Sequence, residues 1–239
     1  MQRTIAWKLM KDILEPATAA TRTVTVTLKQ GNERTGWWVA REARKKLPDG
    51  IKSLLVLVQP REVKGVARLI SEREGKTDAF FILVSPAGEI QDVRRMLDFN
   101  VRLDTALAYV DPDFLALDGE HHLNGITMHG NTEAYEVETI PSEQWFYSRL
   151  VTWISYETFL PLQRDLYDMA GRLWKRQLFE ESTLVTGVPT PVSVRTIDYY
   201  DGTTVECSIS DVRYEASVPD EAFSLTMLPA AVESEFWRL

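Results

Sequence analysis

Three histidines near several carboxylates are the first residues of this chain that could do chemistry. His121, His122 and His129 lie close in the sequence to Asp111 and Glu120. A zinc site requires nitrogen and oxygen ligands that converge at about 2.0–2.2 Å. The spacing fits no ligand pattern, and adjacent residues of a strand point to opposite faces. We therefore expect a solvated loop here, with no metal and no cofactor.

Nucleophilic catalysis finds equally little support in the sequence. The single cysteine, Cys207, alternates with Val205 and Ile209, which places its thiol on an apolar strand face as a small core residue. The chain has no Gly-x-Ser-x-Gly elbow, and its glycines follow neither dinucleotide-binding nor Walker spacing. Since no base and nucleophile can be paired, we expect a protein that is not an enzyme.

Composition and charge narrow the classes of partner. The chain has 239 residues, of which 44% are hydrophobic, and its formal net charge is -8. A nucleic-acid partner would require a basic stripe to neutralise phosphates, so we expect none. No run of 18 or more apolar residues is present, and we therefore expect no membrane-spanning segment.

The elements that must position any site are mostly strands. Residues 4–15 place Ile5, Leu9 and Ile13 at helical spacing and predict an amphipathic N-terminal helix. After residue 22 the period changes to two, with turn residues at short, regular intervals, which predicts an antiparallel sheet. The expected strands are residues 23–29, 37–43, 52–58, 66–73, 77–84, 126–129, 132–140, 192–200 and 203–214.

Two further stretches differ from this simple alternation. Residues 146–181 are rich in aromatic and β-branched residues, with breaks at Pro161 and Gly171, and predict consecutive antiparallel strands. Residues 91–118 are apolar without clean alternation, and we interpret them as an irregular lid or plug over the sheet. No linker or change in charge divides the chain, so residues 1–239 are expected to form a single domain.

Several strands carry more apolar surface than a sheet with one wet face needs. The runs 54–58 and 79–84 are apolar on both faces, whereas a half-exposed antiparallel sheet should alternate. Helices or a second sheet could cover the additional face. Alternatively, the sheet could curl around an apolar cavity that takes a hydrophobic ligand. The pattern by itself leaves both interpretations open and favours the first.

A family resemblance is carried by scattered positions rather than by one motif. The run Tyr147-x-Arg149-x-Val151-x-Trp153 is followed by Pro161-Leu162, Asp165-x-Tyr167-Asp168 and Gly171-x-Leu173-x-Lys175. Upstream are Val58-x-Pro60-x-x-Val63-Lys64-Gly65-Val66-Ala67-x-Leu69 and Asp78-x-Phe80-x-x-Leu83, and near the end is Val218-Pro219-Asp220-x-x-Phe223. Together they resemble the outer-membrane lipoprotein-sorting-like family, whose members are similar to the periplasmic carrier LolA.

The resemblance implies a fold and a compartment. The fold would be α+β but mostly antiparallel β: an incomplete, or half, β-barrel of about ten strands, with helices covering its concave face. The family also implies an apolar cavity and export to the periplasm, with the signal peptide already removed from this sequence.

Two functional hypotheses follow. The first is a non-enzymatic periplasmic carrier that holds a lipid or a lipoprotein acyl chain by apolar burial and meets an envelope membrane-protein partner. The alternative is an envelope interaction or sensor domain whose groove is collapsed on its own side chains. The residues expected to line the cavity are Trp37, Val56, Val58, Phe80, Ile82 and Trp153. Those expected to form the lid are Met96, Phe99, Leu103, Leu107 and Tyr109.

Overall fold

The described part of the chain is dominated by β-structure. A computed structural model describes residues 4–6, 8–10, 20–48, 50–73, 76–83, 90–92, 119–141 and 147–228. Its strands are β1 Ala20–Gln30, β2 Glu33–Leu47, β3 Gly50–Gln59, β4 Ala67–Arg73, β5 Lys76–Leu83, β6 Ile90–Asp92, β7 Gly119–His129, β8 Thr132–Pro141, β9 Arg149–Ser155, β10 Pro161–Tyr167, β11 Leu173–Val185, β12 Val188–Asp198 and β13 Thr203–Tyr214.

The strands hydrogen-bond in one open order. That order is β6-β5-β4-β3-β2-β1-β13-β12-β11-β10-β9-β8-β7, a 13-stranded sheet instead of the expected ten or so. Each ladder whose register is described is antiparallel, which confirms the predicted sheet type. The half-barrel curvature stays a prediction.

Helical structure is sparse, and this corrects the expectation of helices over a concave face. Within the described residues, one short α-helical segment covers 4–6 and 8–10. The 3₁₀ helices are Arg61–Val63, Asp220–Phe223 and Leu225–Met227. The expected covering helices are therefore not supported. One apolar sheet face is instead covered by residues near the C-terminus, among them Phe223 and Leu225 of the last two 3₁₀ helices.

Two local expectations were wrong for reasons of strand geometry. Pro161 does not close a strand but begins β10, opposite Ile154, and the first residue of a strand tolerates the missing N–H. His121 and His122 do not lie in a loop, because β7 begins at Gly119. The Thr139 hydroxyl hydrogen-bonds the Nδ1 of buried His121 at 2.8 Å, which makes a histidine acceptable on a buried strand face.

The contacts divide the chain into two compact units. Unit 1 comprises Met1–Glu15, Leu28–Thr35 and Asp113–Ser208; unit 2 comprises Pro16–Thr27, Gly36–Pro112 and Ile209–Leu239. In unit 1 the described helical segment lies on strands β8 and β9. In unit 2 the core lies on strands β2, β3 and β4. The assignment of residues 1–239 to a single domain stays a prediction.

Candidate functional site: a helix-covered apolar sheet face

Register divides the unit 1 sheet into two chemically different faces. Glu136 pairs with Trp153, whereas the next positions along the strands pair Val137 with Thr152 and Tyr135 with Ile154. Directly opposed residues of an antiparallel ladder share a face, and successive residues alternate. We call the face with Val137 and Ile154 the helix-covered face, and the face with Trp153 the polar face.

The helix-covered face has an apolar floor that the N-terminal segment occupies. Ala6, Leu9 and Met10 form a buried cluster with Val137 and Ile154, and each of these five side chains is at most 8% exposed. Leu123 and Tyr135 pack against the edge of this cluster. Ile5 and Lys8, on the other side of the segment, are exposed, as an amphipathic helix requires.

The margin of this floor is unusually apolar for a surface. The ring of Tyr135 lies 5.1 Å from that of Tyr156 and 6.1 Å from that of Phe159, measured between centroids. Tyr156 and Phe159 are 45% and 52% exposed, and Ile126 and Met128 of β7 are 54% and 62% exposed. Ile126 pairs with Tyr135, so the exposed margin continues directly from the floor. A contiguous apolar patch of this kind commonly marks a binding surface.

A buried polar row follows the floor along the same face. Thr152 pairs with Arg164, and Arg164 pairs with Gln177. The Arg164 guanidinium is fully buried; its Nε donates to Thr152 Oγ1 and its Nη1 to Gln177 Oε1, both at 3.3 Å. The character of the face therefore changes across the strands: it is apolar on β8 near the helical segment, and polar and hydrogen-bonded toward β10 and β11.

The polar face holds Trp153, which the sequence placed in a cavity. Its Nε1 donates to Glu136 Oε2 at 3.2 Å, and its ring stacks on His129 at 5.4 Å. Nearby, Arg176 donates to both oxygens of Asp165 at 2.8 and 2.6 Å. Burial and the charge of Arg176 lower the pKa of His129. The structure thus directs Trp153 away from the helix-covered face.

Several residues that carry the family resemblance have structural partners at one end of unit 1. The carboxylate of Asp168 accepts hydrogen bonds from the Tyr200 hydroxyl and from Arg172 N and Nε, the latter two at 2.7 and 3.0 Å. These hydrogen bonds lower the pKa of Asp168 to about 2, and the one from Tyr200 contributes most. Gly171 has a φ of 76°, which favours glycine in this turn. These motif residues shape the β10–β11 hairpin.

In unit 2, an apolar cluster contains one of the expected lining residues, Val56. It combines Ala43, Leu54, Val56, Ala67 and Leu69 of the strands with Val218, Phe223 and Leu228 from near the C-terminus. A groove of about 320 Å³ adjoins the cluster and is lined by Lys52, Leu69, Ser71, Asp220, Phe223, Ser224 and Leu225. This volume lies at the lower end of the range for ligand sites.

The C-terminal residues over this cluster are held by a polar clamp. Lys45 Nζ donates to the carbonyl oxygen of Val218 at 2.8 Å and to Asp220 Oδ1 at 2.5 Å. The side chains of Phe223 and Leu228 are 2% and 0% exposed. Residues 218–228 are therefore an integral part of the unit 2 core.

A buried charge on the opposite face of the same strands was missed by the sequence analysis. Glu42 is 2% exposed, accepts a hydrogen bond from Ser53 Oγ at 2.9 Å, and forms an ion pair with Arg22. Burial raises the pKa of Glu42, but Arg22, Arg68 and Ser53 together hold it below its ordinary value. Only the register, not the sequence pattern, reveals that Glu42 lies opposite Leu55.

The remaining expected lining residues are dispersed. Trp37 is half-buried in β2 and Val58 is buried in β3. Phe80 and Ile82 lie in β5, at the ladder positions opposite Ile70 and Arg68. The expected lid residues Met96, Phe99, Leu103, Leu107 and Tyr109 lie outside the described residues. The lining and lid assignments stay predictions.

The sequence analysis did not predict the aromatic margin. The available signal was the short interval between the two aromatic residues Tyr156 and Phe159.

Metal and membrane features can be assessed only for the described residues. Across those ranges, no cluster of histidine, cysteine and acidic side chains could hold a metal ion. His122 Nε2 lies 3.5 Å from Glu120 Oε2, while His121 and His129 have the separate partners already given. In the described ranges, no helix combines the length and the apolar character that crossing a bilayer requires.

Solved structures with the same fold cover nearly the whole chain. A DUF1329 family protein from Desulfovibrio piger superimposes with a TM-score of 0.82 at 19% identity, over 95% of this chain and 99% of its own. A putative outer membrane lipoprotein-sorting protein domain from Vibrio parahaemolyticus gives 0.81 at 17% identity, over 95% and 99%. A LolA superfamily protein from Nitrosomonas europaea gives 0.72 at 15% identity, over 94% and 98%.

Sequence comparison supplies the family. No curated protein matches the chain. A family model described as "Uncharacterized protein" matches residues 49–230, which is more than half of the sequence. The chain therefore belongs to this family, and its fold is LolA-like.

Proposed function

We propose that this protein is a non-enzymatic carrier of a lipid or of a protein-attached acyl chain, acting in the periplasm. One observation carries the proposal. The helix-covered face has an apolar floor on which Ala6, Leu9 and Met10 of the N-terminal segment pack, and its margin of Ile126, Met128, Tyr156 and Phe159 is exposed. An acyl chain that entered at the margin would take the place of Leu9 and Met10 on the floor.

Apolar burial is sufficient to hold such a ligand. Each buried methylene contributes about 0.8 kcal/mol, so a chain of ordinary length needs no charged anchor. The LolA-like fold supports the same interpretation, because one neighbour is described as a lipoprotein-sorting domain. A hydrophobic ligand is accordingly the proposed partner, with an envelope membrane protein as its donor or acceptor.

The test uses the competition between helix and ligand. Leu9→Ser combined with Met10→Ser removes two buried contacts of the N-terminal segment, each worth about 2 kcal/mol or more. If the ligand binds the same floor, the double variant should bind a fluorescent fatty-acid probe at least tenfold more tightly than the parent. Lys8→Ser, on the exposed side of the same segment, is the matched control and should leave the affinity unchanged.

Two results would overturn the proposal. The first is absence of bound lipid in native mass spectrometry of protein purified without detergent, together with no response to the probe. The second is equal probe affinity in the parent and the double variant, which would place any lipid site elsewhere. Circular dichroism must show that the double variant keeps its sheet.

A second function has one observation in its favour. The floor is filled by Ala6, Leu9 and Met10 of the chain itself, as expected for an interaction or sensor domain with a collapsed groove. In that case the double variant should lose stability without gaining affinity for the probe. The same titration therefore separates the two functions.

A further inference from the structure

The outer strand of unit 1, β7, presents an edge with which no other described strand pairs. It is the last strand in the hydrogen-bonding order, with β8 as its neighbour on the inner side. Residues 126–128 are exposed, including the side chains of Ile126 at 54% and Met128 at 62%. A long apolar edge strand with unpaired backbone groups is a template for pairing with another strand.

The register shows which backbone groups point outward. Gly130 and Asn131 form a two-residue turn, with a φ of 59° at Gly130, so His129 and Thr132 form its closing hydrogen-bonded pair. Pairs then alternate between hydrogen-bonded and non-hydrogen-bonded. Ile126 and Met128 occupy non-hydrogen-bonded positions, and their N–H and C=O groups point away from β8.

The exposed β11–β12 hairpin of the same unit has a strand edge to which another strand cannot be added. Leu184 and Val188, at the β11–β12 turn, are 70% and 42% exposed. The pair Val185–Val188 closes this turn, so Pro189 and Pro191 occupy positions whose N–H would point outward. Proline has no such donor and prevents strand addition. By contrast, residues 123–130 contain neither proline nor a charged lysine, arginine or carboxylate.

We propose that β7 is a self-association edge, and that a second copy of this chain pairs with it in antiparallel orientation about a two-fold axis at Thr127. In this register Ile126 lies opposite the partner's Met128, and the reverse pair is equivalent by symmetry. The two pairs exchange about four backbone hydrogen bonds. Apolar side chains meet apolar side chains across the axis, which makes the edge self-complementary.

The contact line of β7 adds no charge repulsion to the pairing of two copies. Each chain carries a formal charge of -8, so two copies repel overall, and charged residues along the contact line would increase that repulsion. Residues 123–130 provide an uncharged line, and the lowered pKa of His129 keeps that side chain neutral at pH 7. The bulge between Leu123 and Gly125 ends the regular edge, which limits the contact to a short segment and makes the dimer weak.

Disulfide trapping tests the register. Thr127 would face the partner's Thr127 at a non-hydrogen-bonded position, where Cβ atoms lie closest. In a Cys207→Ser background, Thr127→Cys should form a disulfide-linked dimer under mild oxidation, at least tenfold faster than Thr183→Cys. Thr183 is an exposed threonine of β11, on a strand that also carries the exposed carboxylates Glu180 and Glu181, and it is the matched control. Equal rates for the two variants, or no dimer, would overturn the proposal.

Sedimentation analysis tests the association without a covalent bond. The parent should show a concentration-dependent monomer–dimer equilibrium, and Met128→Lys should weaken it at least tenfold, because a lysine on an edge strand opposes pairing. Val188→Lys adds the same charge to the blocked hairpin and should leave the equilibrium unchanged. Both positions are exposed, so both variants should retain the parent melting temperature. A parent that remains monomeric at all concentrations contradicts the proposal.

Discussion

The two units cover their apolar sheet faces in different ways. In unit 2, the residues over Leu54 and Val56 include Phe223 and Leu228, both buried, and Lys45 clamps this chain by two hydrogen bonds. In unit 1, the described cover is a short helical segment, and the margin beside it exposes Phe159. The comparison separates a cover that belongs to the core from one that a ligand could replace. Both covers bury apolar side chains, so burial alone does not show which cover is structural. The two hydrogen bonds of Lys45 in unit 2 and the exposed margin in unit 1 make the difference.

The strongest test of this difference between the two covers is to truncate Phe223, the aromatic residue in the cover of unit 2. Phe223→Ala should lower the free energy of unfolding by about 3–5 kcal/mol, the usual cost of deleting a buried aromatic ring. Binding of a fatty-acid probe should not become tighter, because this cover does not compete with the ligand. Chemical denaturation and probe titration measure the two effects. A stable variant with tighter binding would move the proposed lipid site to unit 2.

The buried charge of unit 2 provides the next largest effect. Arg22→Ala removes the ion-pair partner that contributes most to the low pKa of the Glu42 carboxylate and should cost about 3 kcal/mol at pH 7, since a buried charge that loses its partner is costly. The folded-state pKa of Glu42 is lowered, so its contribution is present above the unfolded-state pKa and is lost as the pH falls.

The difference between parent and Arg22→Ala should therefore shrink below about pH 4. Denaturation curves at several pH values measure it. Arg61→Ala, at an exposed arginine of the same unit, serves as the control and should show no such dependence. A difference that is independent of pH would argue against an ionised Glu42.

The clamp itself should contribute less. Lys45→Met keeps the aliphatic stem but removes both hydrogen bonds to residues 218–220. The side chain of Asp220 is 63% exposed, so solvent screens the ion pair, and the loss should be about 1 kcal/mol or less. Hydrogen exchange should nevertheless rise in residues 218–228 and not in the helical segment of unit 1. Exchange that rose equally in both would remove the distinction between the two covers.

Much of the sheet follows from alternation and turn chemistry, whereas the faces do not. The turns at Gly31, Gly130 and Gly202 lie where the sequence predicts them, each with a positive φ. The facing of Trp153 could not be predicted, because a register shift of one residue moves every side chain of a strand to the other face.

The aromatic margin was also beyond sequence reasoning, for a different physical reason. Phe159 lies in a turn with a φ of 57°, and its exposure depends on the packing of Tyr135, a neighbour only through the strand register. Turn residues follow no period, so hydrophobicity alone predicts burial for Phe159. The burial of Glu42 could not be predicted either. Alternation predicts a half-buried strand around this residue, and a carboxylate in such a strand is expected on the exposed face.

The smallest predicted effect concerns the β10–β11 hairpin, which neither cover touches. Tyr200→Phe removes the hydrogen bond that contributes most to the low pKa of Asp168, so this pKa should rise from about 2 toward the ordinary aspartate value. Carboxyl chemical shifts, followed through an acid titration, measure the change. Because the folded-state pKa lies below the unfolded one, the carboxylate stabilises the fold above the unfolded pKa, and this contribution disappears as the pH falls toward 2.

Tyr199→Phe, at an exposed neighbouring tyrosine, is the control and should leave the titration of Asp168 unchanged. Probe affinity should be the same in both variants; a change with Tyr200→Phe alone would connect the hairpin to the ligand site and end its classification as purely structural.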